Sequence, residues 1–174
     1  MAKVTGLSWG QIKGYYAKEN SNGTLGEWQA LPNIVEGTLA INTEKGDKRE
    51  APIEGGQNEF VSYKKSTYTV EFTIRGALEA SGLRPKPFED VDGLIDGVYA
   101  LKFIPETPGA YGVYVKRATL SVEDTISSED GLQWAYTADV LAPENMSEKS
   151  IEYAAYTDPT AESDGESDGE SDGE

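Results

Sequence analysis

Residues 67–75 read Thr-Tyr-Thr-Val-Glu-Phe-Thr-Ile-Arg, and every second side chain among them, Tyr68, Val70, Phe72 and Ile74, is apolar. The intervening Thr67, Thr69, Glu71, Thr73 and Arg75 are polar. Strict alternation in a stretch rich in Thr and β-branched or aromatic residues is the pattern of a strand with one face buried and one face wet. The same period recurs in residues 132–140, where Leu132, Trp134, Tyr136, Ala138 and Val140 alternate with Gln133, Thr137 and Asp139. It recurs more weakly where Gly37, Leu39 and Ile41 face away from Glu36, Thr38 and Asn42.

Residues 98–104 are apolar on both parities apart from Lys102, as expected of a strand covered on both faces and placed centrally. In residues 111–122 the apolar parity switches, from Val113 and Val115 to Ala118, Leu120 and Val122, which predicts a bulge near Lys116 and Arg117. Residues 10–17, 28–31 and 60–63 add short strands. Helical signal is confined to residues 77–81, closed by Gly82, and residues 88–95, since Pro85 and Pro87 interrupt anything longer. The expected fold is mainly β, an antiparallel β-sandwich or barrel of roughly seven or eight strands with a short flanking helix.

A long polar hairpin arm interrupts this pattern at residues 42–59, whose only side chains to bury are Ala51, Pro52 and Ile53. Loops of this length inside a small domain are uncommon and usually functional or disordered. Glu44, Lys45, Asp47, Lys48, Arg49 and Glu50 put charges of both signs into one short run. With Ile53, these residues from Lys45 onward are the candidate contact site of the arm, suited to another polar surface.

The 174 residues have room for one ordinary domain, expected over residues 1–156. Residues 157–174 repeat Ser-Asp-Gly-Glu three times and are expected to form a disordered acidic tail whose removal leaves the melting temperature unchanged. Eight of the 31 acids lie there, and without them the net charge changes from −16 to −8. Such a balance repels phosphate and anionic lipid, so tight DNA binding is not expected. No apolar run approaches the roughly 20 residues that cross a bilayer, and the N-terminus lacks a basic and then hydrophobic block, so a soluble chain without a membrane anchor, made in the cytoplasm, is expected.

Cysteine and histidine are both absent. Disulfides, thiolate nucleophiles, the usual zinc ligands and every Ser/His/Asp or Cys/His arrangement go with them. No catalytic residue, metal ligand or cofactor is assigned. Carboxylates are plentiful, yet nothing in their spacing selects the opposed pair a glycosidase needs. Glu89, Asp90, Asp92 and Asp96 around Gly93 approximate a calcium loop, but the glycine comes too early and Leu101 stands where the bidentate Glu belongs. Flat aromatic faces stack on sugars, so Trp9, Trp28 and Trp134 support an alternative reading as a carbohydrate-binding or other β-sandwich binding module, although Trp134 is in phase with a core stripe.

Taken in order, the early strand pair, the arm, the strand Thr67–Arg75, the short helix and the closing run Glu129-Asp-Gly-Leu-Gln-Trp-Ala-Tyr-Thr-Ala-Asp-Val-Leu-Ala-Pro143 resemble the major tail-tube proteins of long-tailed bacteriophages over residues 5–143. The resemblance implies a structural virion protein, assembled in the bacterial host cytoplasm, that forms hexameric rings stacked into a tube for DNA delivery. It implies partners: further copies of the chain, tape-measure and tail terminator or tip proteins, and DNA that passes without tight binding. It also makes Thr67, Thr69, Glu71, Thr73, Arg75 and Lys116 candidate lumen or inter-subunit positions, and residues 42–59 the reach to the neighbouring ring. Some relatives carry an immunoglobulin-like decoration at the C-terminus, where this chain has the acidic repeat.

Overall fold

The computed structural model describes residues 2–161. Along the chain run β1 (Ile12–Lys18), β2 (Gln29–Ala30), β3 (Ala40–Glu44), β4 (Lys48–Pro52), β5 (Asn58–Tyr63), β6 (Thr67–Arg75) and β7 (Leu78–Glu79). They are followed by β8 (Gly82–Leu83), β9 (Asp90–Val91), β10 (Leu94–Ile95), β11 (Tyr99–Pro105), β12 (Gly112–Ser127), β13 (Gly131–Val140) and β14 (Ile151–Ala154). The fold is mainly β, as the alternation predicts, with antiparallel pairing throughout.

The main sheet runs β2-β1-β11-β12-β13-β6-β3. The doubly apolar β11 lies centrally, between β1 and β12, and most of its side chains are buried. The bulge is where the parity switch puts it: Tyr99 faces Ala118 and Leu101 faces Val115, so Lys116 and Arg117 together oppose Ala100. Beyond the bulge β12 exchanges neighbours, pairing with β14 through Gly112–Val115 and with β13 from Ala118 onward. Arg117 pins this corner, its guanidinium donating to both carboxylate oxygens of Glu19 at 2.8 and 3.0 Å.

The sheet curls until its ends meet. Phe72 on β6 packs edge-on against Phe103 on β11 at 5.7 Å, although two strands separate them in sheet order. Residues 31–35 close the gap, with Leu31 N–H donating to Gly14 O at 2.8 Å on β1 and Val35 N–H donating to Thr73 O at 2.9 Å on β6. Gly14 permits this crossing, because a Cβ there would meet Leu31 Cδ1 at 2.8 Å and Phe103 Cε1 at 3.3 Å. Inside lies one core built from Val70, Phe72, Ile74, Leu101, Phe103 and Tyr136 with their neighbours.

The short flanking helix is not seen; residues 77–81 and 88–95 are β-hairpins among the described residues. Five residues ahead of Gly82 are too few to repay helix nucleation, and β7 and β8 pair instead, with Arg84 N–H donating to Ala77 O at 2.9 Å. In the second segment Val91-Asp92-Gly93-Leu94 forms a two-residue turn, with both Asp92 and Gly93 at positive φ. Asp-Gly between apolar residues is a strong signal for that hairpin, and the helical reading overlooked it.

Candidate functional site

Two surfaces gather the expected site residues: the arm, and the outer face of the β3-β6-β13-β12 ladder.

The arm is a β-hairpin, β4 paired with β5, inserted between β3 and β6. It extends further than the polar run suggests, since Lys48 pairs with Tyr63 and the turn lies at Gly55 and Gly56, both at positive φ. At its base Lys64 N–H donates to Asp47 O at 2.9 Å, and Lys64 Nζ meets the Asp47 carboxylate at 3.1 Å. Gly46 is obligatory at this junction because any Cβ would collide with the Lys64 carbonyl. Lys65 Nζ donates to Met146 O at 2.7 Å, fixing the base to the body.

Beyond the junction the charged residues are engaged with one another rather than with the barrel. Lys48 and Glu50 form an ion pair, which raises the lysine and lowers the carboxyl. Lys45 Nζ stands 4.9 Å from the Tyr63 ring centroid. Arg49, cross-strand from Ser62, and Ile53 are exposed. What the sequence reading missed is the apolar half of the arm. Phe60 is 64% exposed and Tyr63 57% exposed, with Val61 and Ile53 also open to solvent. Their β-branched and aromatic side chains in residues 60–63 signal a strand, but a strand that its own chain leaves uncovered on both faces.

On the ladder, cross-strand register sets the outer face, because directly opposed residues project to one side. Ala40, Glu71, Thr137 and Ser121 form one row, and Asn42, Thr69, Asp139 and Thr119 the next. Thr73, Ala135 and Glu123 form a third, Arg75, Gln133 and Thr125 a fourth, and Glu44 and Thr67 lie at the edge. Five of the six expected lumen positions therefore share one face, mostly of small polar side chains. Its charges are Glu44, Glu71, Glu123 and Asp139 against the single Arg75. Three of those acids come from neighbouring strands, which only the register could bring in.

Lys116 stands apart from that face. It sits in the bulge, mostly buried, and its ammonium is held by Glu148 at 3.0 Å and Glu152 at 3.1 Å, hydrogen bonds that raise it above the ordinary lysine range.

The remaining candidates resolve as follows. Trp134 is buried in the core as its phase predicts, and Trp9 is exposed. Trp28 lies edge-on to Tyr114 at 6.0 Å, and Lys102 Nζ fits between Trp28, Tyr114 and Tyr156 at 4.7, 4.9 and 5.5 Å from their centroids. Burial pushes the Lys102 ammonium below its ordinary range, while the three ring faces attract the cation and act in the opposite direction. In the acidic turn, Asp90 accepts from Lys86 and from Gly93 N–H at 3.0 Å, so its oxygens are occupied by the chain itself.

Two open clefts stand out among the described residues. One, about 230 Å³, is apolar and lined by Ile12, Leu39, Ile41, Phe103 and Tyr111. The other, about 260 Å³, is bordered by Tyr15 and Asp158, with Asp158 its one acidic residue. Residues 158–161 thus belong to an ordered turn, in which Thr160 N–H donates to the Asp158 carboxylate at 2.8 Å. Residues 162–174, most of the expected acidic tail, lie outside the described residues. No known protein-family model matches this chain, and no curated protein matches it significantly.

Proposed function

We propose that this chain is a structural subunit that assembles through its arm into stacked rings, forming the tail tube of a bacteriophage. The observation that carries the reading is the arm: Ile53, Phe60, Val61 and Tyr63 are exposed on a hairpin tied to the body at its base. Exposed apolar side chains on a projecting hairpin favour contact with another surface. The ladder face suits the same role. A wall of Thr, Ser and Ala with four carboxylates against one Arg repels a polyanion. The uncovered backbone edge of β3 is a hazard in a monomer and a pairing device in a ring.

The test is electron microscopy and sedimentation of concentrated protein beside a variant in which residues 46–64 are replaced by a short Gly-Ser turn joining Lys45 to Lys65. The native chain is expected to form rings or rods, and the shortened chain a folded species that does not stack. Long tubes from the shortened chain would show the arm to be a passive loop.

A further inference from the structure

The arm needs a receptor, and the same chain presents one at its other end. Register fixes the geometry. The arm leaves the ladder where Glu44 pairs with Thr67, whereas β6 ends where Arg75 pairs with Gln133, and Gly76 N–H carries the ladder on to Leu132 O at 2.9 Å. Eight residues of strand separate the two ends, about 26 Å at the usual rise. Beyond Gly76 stands the β7–β8 hairpin, beside the tip of β12–β13, and the turn of β9–β10 points the same way, with Val122 N–H donating to Gly93 O at 3.0 Å.

Each of these three hairpins carries a cross-strand apolar pair facing solvent: Leu78 with Leu83, Val91 with Leu94, and Ile126 with Leu132. Leu78, Leu83 and Ile126 are 80, 84 and 80% exposed. Three such pairs at one end of a small domain form a surface that water covers poorly.

Charge completes the match. Residues 75–96 and 121–133 hold nine acids and three bases, and two of those bases are engaged internally, Arg84 by Glu79 and Lys86 by Asp90 and Asp124. Residues 45–65 hold five bases and four acids, a net positive segment in a chain of net charge −16. An apolar and basic arm and an apolar and acidic end lie too far apart to meet within one molecule.

Resting on the assembly reading above, we propose that the arm of one copy docks on the β7–β8, β9–β10 and β12–β13 hairpin end of a second copy. Phe60 lies on the face of the arm that also carries Arg49 and covers the leucine and isoleucine pairs, while Arg49 faces the acids around them; Val61, Tyr63 and the Lys48–Glu50 pair lie on the opposite face. The contact is heterologous, so a docked pair leaves one arm and one receptor free and further copies can add at either end.

The absence of cysteine supplies a clean background for the test. Phe60→Cys is combined in turn with Leu78→Cys, Leu83→Cys and Ile126→Cys, and each chain is oxidised at a concentration that favours assembly. At least one combination is expected to give a ladder of disulfide-linked trimers, tetramers and longer species, while Phe60→Cys alone stays monomeric. Dimers from Phe60→Cys alone would overturn the proposal, because they place arm against arm. A second pair of variants needs no cross-link. Leu78→Asp/Leu83→Asp is expected to raise the concentration required for assembly at least tenfold without lowering the melting temperature. Arg49→Glu is expected to weaken assembly and to be restored by Glu129→Arg/Asp130→Arg. If tubes form in all of these variants as in the native chain, the receptor lies elsewhere and arm-mediated stacking stands. If the native chain forms no assembly, both readings fall.

Discussion

Phe72 and Tyr136 stack at 5.3 Å in the middle of the core, and both are almost fully enclosed, yet substitution at the two positions is expected to have opposite outcomes. Phe72→Ala removes a ring that also meets Phe103, leaving a cavity worth about 3–5 kcal/mol of stability. Tyr136→Phe keeps the ring and deletes a buried hydroxyl that has no hydrogen-bond partner among the described residues, so thermal melting should be unchanged or raised. A clear loss of melting temperature in Tyr136→Phe would mean that the hydroxyl is bonded. The Lys86–Asp90 contact sets a dependence on acid. Lys86, with help from Gly93 N–H, holds the Asp90 carboxyl below its ordinary 3.8. A carboxyl depressed on folding contributes stability that is complete above the unfolded value and is lost as pH falls through the folded one. Native protein should therefore lose stability more steeply below about pH 4 than Asp90→Asn does, which melts recorded across that range would measure.

At the scale of elements, the junction of the arm is the sensitive point. Gly46→Ala forces a methyl group against the Lys64 carbonyl, far from the barrel core, so the body should melt nearly as before while protease cuts within residues 45–65 become faster. Equal proteolysis of the two chains would show that the junction accommodates the methyl. Residues 157–161 are more ordered than their composition suggests. Asp158 and Thr160 border the same cleft as Tyr15 of β1, so truncation after Tyr156 removes a carboxylate and a turn from that side of β1. A modest destabilisation of about 1 kcal/mol is expected in a denaturant titration, in place of the unchanged melting that the lack of apolar residues suggests. Much of the body is legible in the chain because local period and burial agree there. Val70, Phe72 and Ile74 are buried where alternation puts them, and the bulge at Lys116 and Arg117 falls at the parity switch. The hairpin at residues 78–83 is not, since runs of two residues are too short to carry a period, whereas that at residues 90–95 is legible through its Asp92-Gly93 turn rather than through any period. Of the candidate site, one strand of the acidic face is readable, but Glu44, Glu123 and Asp139 join it only through pairings 23 to 70 residues apart in sequence: Glu44 with Thr67, Thr73 with the Ala135 that faces Glu123, and Thr69 with Asp139.

The whole molecule combines neighbours of two kinds. β12 with β13 is a simple hairpin, and β4 with β5 another, so both form from segments that are adjacent in the chain. β1, by contrast, pairs with β11, matching Ile12 to Pro105, and residues 31–35 close the barrel only against a β6 already in place. Bringing such distant segments together costs loop-closure entropy before any contact compensates for it. Refolding from denaturant is therefore expected in milliseconds to seconds, with the fluorescence of Trp134 and the far-ultraviolet signal recovering at that rate; completion within microseconds would contradict this order of events. The β1–β11 pairing also has a consequence during synthesis. A ribosome adds roughly 5–20 residues each second, so the arm is complete about 2–8 seconds before the last residue of β11 exists to receive β1. If the arm serves the assembly proposed above, a nascent chain carries its connector ahead of a finished body, and neighbouring chains on one message would meet first through the part of the molecule least able to tell a complete partner from an incomplete one.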